Sequence, residues 1–277
     1  MSKIRLGFST CPNDTFMFDA LVNDRIDRSG LEVDVTMADI EQLNTMIMAG
    51  ELDISKISFA VYPAVADRFL IMNAGSAVGY QNGPLIVSRH RIYPDELPDV
   101  HMAIPGVHTT ANHLLEILFP PVKKKTEYLF SDIEEALLSN EVDAGLIIHE
   151  TRFTYRKKGL RKVADLGEKW EETFKVPVPL GGIIIRRDLN PDVILKADRL
   201  MRQSVEYAMS NPKASESFIK KHAQDLTSEV VNRHIDLYVN DFSVGLGEKG
   251  RKAITFFFEK GKEKGLFDYG DRNFFVE

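Results

Sequence analysis

The apolar and polar positions of this chain change period repeatedly, and each change marks an element. Residues 3–9 alternate charged and apolar side chains, which suits a strand, and Thr10-Cys11-Pro12-Asn13-Asp14 breaks the alternation. A helix is predicted through Phe16, Phe18, Ala20 and Leu21, with Asn13 or Asp14 as its N-cap. Residues 31–37 read as a second strand. Residues 39–49 form a helix with Ile40, Leu43 and Ile47 on one face and Gly50 just past its end. A short strand is predicted at 54–57, a helix or helical turn at 62–67, and an apolar, β-branched strand at 84–88.

After the polar, proline-punctuated stretch 89–98 the pattern starts again. Residues 101–104 are a strand, Pro105-Gly106 breaks it, and a helix runs from Thr109 or Thr110 to Phe119. A strand at 127–130 leads to Ser131, the expected N-cap of a helix whose Glu134 completes a capping box. That helix stops near Asn140, and 142–148 is the next strand. Residues 165–174 are helical, 176–179 form a rigid extended return through two prolines, and 182–185 are a strand crossing back. The tail is helical. Asn190-Pro191 pairs a cap with proline at the first helical position, and Ile194, Ala197, Leu200, Met201, Val205 and Ala208 recur at helix spacing. Two more helices are predicted at 227–239 and 248–264.

Two segments repeat one design. DIEQLNTMIMAGELDISKIS (39–58) and DIEEALLSNEVDAGLIIHE (132–150) each read as an amphipathic helix, a polar turn, an acidic pair one residue apart and a buried strand. The pairs are Glu51 with Asp53 and Glu141 with Asp143. Each copy follows a strand, a loop and a helix start. Two similar α/β lobes facing each other make a cleft with polar strand ends on both walls, the architecture of a protein that closes on a small molecule. Two chain crossings imply a discontinuous larger lobe, 1–88 plus 184–277, and a smaller lobe, 89–183.

At 277 residues the chain is long enough to bury either one large core or two lobes. Its net charge of −6 argues against a nucleic-acid partner, whose groove is usually basic. Lys123-Lys124-Lys125 reads as a solvated helix or loop face. A single cysteine, Cys11, excludes an internal disulfide framework and fits a reducing compartment. No apolar run reaches membrane-span length, and Arg5 interrupts the short apolar stretch that a secretory signal would need. A cytoplasmic location with no membrane partner is expected.

Ligands of open α/β sheets bind beyond the carboxyl ends of the strands. That rule selects the loop around Asn13 and Asp14, the strand end Ser55-Lys56-Ile57-Ser58, the turn leading to Thr109-Thr110, and His149. His149 follows a run that should be buried. Its imidazole is either a general base near neutral pH or a structural histidine bonded to a carbonyl. His108, in a loop, is the rival base; His234 and the other histidines carry no supporting pattern. Thr109 and Thr110 open a helix, where free N–H groups and hydroxyls suit a carboxylate, although ordinary capping explains them equally well. Ser55, Lys56 and Ser58 offer hydroxyl, ammonium and backbone groups, with Ile57 contributing main chain; Lys56 reads alternatively as a surface lysine. Asn13 and Asp14 read first as caps. The turn at 79–84 lacks the lysine and hydroxyl of a phosphate loop, and no zinc motif, nucleophile elbow or dinucleotide fingerprint occurs, so neither a metal nor a redox cofactor is indicated.

The segments RLGFSTCPNDTFMF, GPLIVSR, PGVHTTA, AGLIIHETRFTY, LGEKW and VPLGGIIIRRDL, in this order, closely resemble the 1,4-dihydroxy-6-naphthoate synthase family of the futalosine route to menaquinone. The resemblance runs from Arg5 to about Leu189 and continues more loosely through the tail. LIIHE followed by RFTY is specific; CPND is shared with a neighbouring enzyme of the pathway. The resemblance implies a two-lobed periplasmic-binding-protein-like type II fold with a central ligand cleft. It implies a carbon–carbon lyase that converts cyclic de-hypoxanthinylfutalosine to 1,4-dihydroxy-6-naphthoate without a cofactor. It also implies His149 as proton acceptor and substrate contacts at Ser55, Lys56, Ile57, Thr109 and Thr110. The alternatives are a non-catalytic small-carboxylate binding protein of the same fold and the related chorismate dehydratase; the histidine motif favours the lyase over the dehydratase.

Overall fold

A computed structural model describes residues 3–223 and 226–277; residues 1, 2, 224 and 225, all within the expected larger lobe, lie outside the described residues. The chain opens with β1 (Ile4–Phe8), α1 (Pro12–Val22), β2 (Val33–Met37), α2 (Ile40–Ala49) and β3 (Ile54–Ser58). The short α3 (Tyr62–Val65) precedes β4 (Phe69–Ile71), β5 (Ala77–Gly79) and β6 (Leu85–Ser88). Next come β7 (His101–Ile104), α4 (Thr110–Leu118), β8 (Lys124–Glu127), α5 (Ile133–Leu138) and β9 (Ala144–Ile147). Then α6 (Thr151–Thr154), β10 (Arg161–Asp165), α7 (Leu166–Phe174) and β11 (Val178–Arg186) lead into the tail helices. These are α8 (Pro191–Ser210), α9 (Glu216–His222), α10 (Ser228–Tyr238), α11 (Asp241–Val244) and α12 (Gly247–Glu263).

The strands form two sheets. The first runs β2-β1-β3-β11-β4, with β5 also paired to β11; the second runs β10-β6-β9-β7-β8. In the first, β1 pairs in parallel with β2 and β3, and β11 is antiparallel to β3. In the second, β7 pairs in parallel with β8 and β9, and β6 is antiparallel to β9. The orders β2-β1-β3-β11 and β8-β7-β9-β6 are therefore one pattern used twice, and they coincide with the sequence repeat.

The repeated acidic pair has a structural reason. Arg5 donates its backbone N–H to Asp53 Oδ2 at 2.9 Å, and Asp53 returns its own N–H to Arg5 O at 2.9 Å. His101 and Asp143 make the same two bonds at 2.8 and 2.9 Å. In each sheet the aspartate at the entrance of the third parallel strand fastens it to the first.

The strands place both crossings earlier than 89 and 183. β6 already belongs to the second sheet, and β11 joins the first from Val178 as one strand, Val178–Arg186, rather than as a return followed by a crossing. The edge strand of the second sheet lies at Lys124–Glu127, not at 127–130. Lys124 and Lys125 thus stand on a sheet edge, where charge blocks further pairing. Ser131 does not cap α5; its hydroxyl bonds Asp132 Oδ1 at 2.8 Å, and Asp132 occupies the cap position. Helix α1 starts earlier than expected because Pro12 takes the first turn, where its missing N–H costs nothing. Asn13 and Asp14 are consequently inside the helix rather than capping it. At α2, Asp39 accepts from Glu41 N and Gln42 N, and Gly50 (φ 77°) closes the helix in the left-handed region.

The core packs on both faces of the first sheet. Trp170 of α7 is fully buried, edge-on to Phe174 and Phe256, and joins α7 to α12. On the other face α8 meets α1, where Ser204 Oγ donates to Met17 O at 2.6 Å and accepts from Leu21 N at 3.1 Å. No helix among the described residues is long and apolar enough to cross a membrane.

Candidate functional site

The carboxyl ends of β1, β3 and β9 and the start of α4 converge on one cavity of about 660 Å³, a volume that includes space open to solvent. Its walls include Lys56, Ile57, Ser58, Thr109, Thr110 and His149, so the structure brings six of the seven expected residues together. Ser55 is the exception. Strand alternation turns its side chain to the sheet face opposite Lys56 and Ser58, where Oγ would lie 2.9 Å from a Cβ on the paired Gly7, and it donates to Lys56 O at 2.8 Å. His108 is not part of the cavity walls. Its main chain bridges the lobes, donating to Glu41 Oε1 at 3.3 Å.

His149 follows β9 with φ 57°, in the left-handed region that non-glycine residues rarely adopt. That conformation ends the strand and directs the ring into the cavity instead of along the sheet. Nδ1 lies 3.5 Å from Cys11 Sγ at the start of α1, while Nε2 is buried without a hydrogen-bond partner among the described residues. Phe130 packs edge-on to the ring at 4.9 Å, and His234 stacks behind it at 6.1 Å with planes 9° apart. Burial pulls the His149 pKa down to about 4. The Asp14 carboxylate opposes that shift and the Lys56 ammonium adds to it. The imidazole is neutral at pH 7, a state in which one ring nitrogen can accept a proton.

Lys56 is not a surface lysine. It is buried, and Nζ donates to Asp14 Oδ1 at 2.9 Å and to Gly75 O at 3.4 Å. Asp14 is held in turn by Ser9 Oγ at 2.7 Å and by Asn13 Nδ2 at 2.9 Å. Asn13 Oδ1 meets His234 Nε2 at 2.9 Å, so the CPND segment carries a hydrogen-bonded chain from α10 to the strand end. Sequence reasoning passed over His234 because nothing around it in α10 is unusual; only the fold sets it behind His149.

On the facing wall Thr109 is the N-cap of α4. Its Oγ1 accepts from Asn112 N at 3.3 Å and donates to Gly106 O at 2.8 Å. His113 N begins the helix ladder on Thr109 O. Thr110 and Ala111 line the cavity, and their N–H groups, at the first two helical positions, have no intrahelical acceptor. Thr110 Oγ1 accepts from Ala60 N at 3.2 Å, which ties the second lobe to the segment after β3. Asn44, also passed over in the sequence, donates to Ser58 Oγ at 3.2 Å and accepts from Ser58 N at 3.0 Å. These contacts bring the Ser58 hydroxyl to the start of α4 with its two N–H donors, and Lys56 lines the same cavity two residues along β3. That arrangement suits an anion, a carboxylate above all. No group of three or more His, Cys, Asp and Glu side chains among the described residues is placed to share a metal ion.

Residues 4–263 match the protein family described as menaquinone biosynthesis. The chain is 41% identical to the 1,4-dihydroxy-6-naphtoate synthase of Thermus thermophilus, covering 100% of both chains. It is 39% identical to the enzyme of the same name from Streptomyces coelicolor, covering 95% of this chain and 94% of that one. A Candida albicans protein described as having the generic periplasmic-binding-protein fold superposes with a TM-score of 0.74 at 11% identity, covering 100% of this chain and 98% of that one. The architecture is therefore periplasmic-binding-protein-like.

Proposed function

Because the chain belongs to the menaquinone biosynthesis family, alongside enzymes named 1,4-dihydroxy-6-naphtoate synthase, we propose that it is the lyase that converts cyclic de-hypoxanthinylfutalosine to 1,4-dihydroxy-6-naphthoate. One observation carries the assignment of roles: His149, neutral and with Nε2 unpartnered, shares a cavity with the free N–H groups that open α4.

The substrate carboxylate sits against Thr110 and Ala111 N–H and Ser58 Oγ, with Lys56 supplying charge. Lys56 is already paired with Asp14, so it adds a shared cation rather than a second full ion pair. His149 Nε2 is the base. For that lone pair to be free, the ring proton must reside on Nδ1 and point at Cys11 Sγ, which makes Cys11 the group that selects the tautomer. Burial raises the Cys11 pKa, so the sulfur stays a neutral thiol beside a neutral ring. Proton removal is followed by carbon–carbon cleavage and release of the small sugar-derived fragment, with aromatisation as the driving force. The cleft fixes the base against the substrate, and a bound substrate displaces water from it. The cytoplasm, where the reading places the protein, fits a free buried thiol.

The test is incubation of the purified protein with cyclic de-hypoxanthinylfutalosine, without added cofactor, and detection of dihydroxynaphthoate by mass. Product that disappears in His149→Ala is the expected result. Binding without turnover points instead to a receptor, and neither binding nor turnover removes the assignment.

A further inference from the structure

Asn82 presents an anomaly that the roles above do not use. It lines the cavity and is 1% exposed, yet neither Nδ2 nor Oδ1 has a hydrogen-bond partner among the described residues. A buried amide with both ends unpaired is costly, and proteins pair nearly all such groups.

The loop that carries Asn82 is held firmly. Gln81 sits at φ 57°, and its N–H donates to Glu171 Oε1 at 2.5 Å. Arg152, from the RFTY segment, donates to Gln81 O at 2.9 Å and to Gly83 O, and is itself paired with Asp165 at 2.7 Å. Gly83 packs so closely on Gly167 that a Cβ would lie 2.2 Å from Gly167 N. The residues before and after Asn82 are thus clamped, and the amide between them is left without a partner.

The sheet register fixes where that amide lies. Ser58 pairs with Gly181 on one side of β11, and Gly79 pairs with Val178 on the other. Two strand spacings and three residues of rise separate Ser58 from Gly79 by roughly 14 Å. Asn82 Nδ2 would lie 3.0 Å from a Cβ on Gly79. The amide therefore stands at the end of the cavity remote from Ser58, a span suited to a fused bicyclic ring lying between them.

We propose that Asn82 is a substrate-binding residue that holds the oxygenated end of the ring system opposite the carboxylate. The inference rests on reading the cavity as the site of an aromatic carboxylate. An amide offers one carbonyl acceptor and two N–H donors. A hydroxyl, or a hydroxyl beside a carbonyl, satisfies both ends of it, whereas a bare hydrocarbon ring leaves both unpaired. Asn82 accordingly selects ligands carrying oxygen at that end.

The test compares two probes by calorimetry, 1,4-dihydroxy-6-naphthoate and 2-naphthoate, which share the carboxylate and ring but differ in the two hydroxyls. The native protein should prefer the dihydroxy probe by roughly tenfold or more. Asn82→Leu should lose that preference while binding 2-naphthoate at least as tightly, and its ligand-free melting temperature should stay level or rise because an unpaired polar group has gone. Asn82→Ala, which opens space instead of filling it, repeats the comparison if the leucine variant does not fold. Retention of the preference in the variants overturns the role of Asn82 alone. So does a lower melting temperature with both probes weakened equally, since that marks a structural amide. A native protein that binds neither probe overturns the reading of the site and this inference with it.

Discussion

Cys11 Sγ lies 3.5 Å from His149 Nδ1 and joins the start of α1 in one lobe to the end of β9 in the other. Because the two residues come from opposite walls, the ring acquires its neighbour only when the lobes are assembled. Replacing Cys11 by alanine should leave the fold intact and cost part of the roughly 10²–10⁴-fold contribution of a positioned base. The loss should appear in kcat, with little change in KM. Cys11→Ser should recover part of the rate. Nitrogen NMR of the His149 ring checks the cause, because the native Nδ1–H population should fall in the alanine variant.

His149→Ala should abolish detectable turnover while preserving most of the affinity for product, since the proposed carboxylate contacts, at the start of α4 and the end of β3, do not involve the imidazole. Calorimetry with 1,4-dihydroxy-6-naphthoate measures the second half of that statement. An active variant would remove His149 from the chemistry.

The lowered pKa of His149 has a consequence for stability. The unfolded histidine takes up its proton near pH 6.5 and the folded one only near pH 4. Between those values the unfolded chain binds more protons, so stability should fall as the pH drops from about 6.5 to about 4. His234, lowered by burial and by its histidine neighbour, pushes in the same direction. Denaturant titrations at pH 7 and pH 5 should therefore show a lower midpoint at pH 5, and His149→Phe should flatten the difference. An unchanged slope in that variant would assign the pH dependence elsewhere.

Lys56→Met should be severely destabilising, by about 3–5 kcal/mol, because it strands the buried Asp14 carboxylate. Adding Asp14→Asn should restore a large part of that loss, since no unpaired charge then remains. Equilibrium unfolding of the two single variants and the double variant gives the coupling directly.

Much of the fold was legible because its signals are local. Asp39 and Gly50 bracket α2, Asn190-Pro191 opens α8, and Thr227 caps α10, each by chemistry within a few residues. The duplicated segment was legible as a repeat before its sheets were known. The elements not predicted lack such signals. β10 reads RKVAD, a charged edge strand that owes its form to pairing with β6, and β4 and β5 are three residues each. For the site, His149 and the threonine pair stood out because they end or begin periodic segments. Asn44, His234 and Asn82 did not, because what distinguishes them is what lies across the cavity or, for Asn82, that nothing does.

The doubled sheet pattern reaches beyond architecture. Counting from the matched aspartates Asp53 and Asp143, Ser58 and Ile148 occupy equivalent places, and His149 corresponds to Phe59, which lies fully buried in the core. One copy of the plan turns that position inward and the other turns it into the cavity through a single left-handed residue. On the proposed roles, the backbone twist at His149 makes the two matched strand ends chemically unlike, Ser58 gripping and His149 reacting. Each strand end can change its side chains without redrawing its counterpart, so a scaffold of this kind can acquire a new reaction by altering one of them alone.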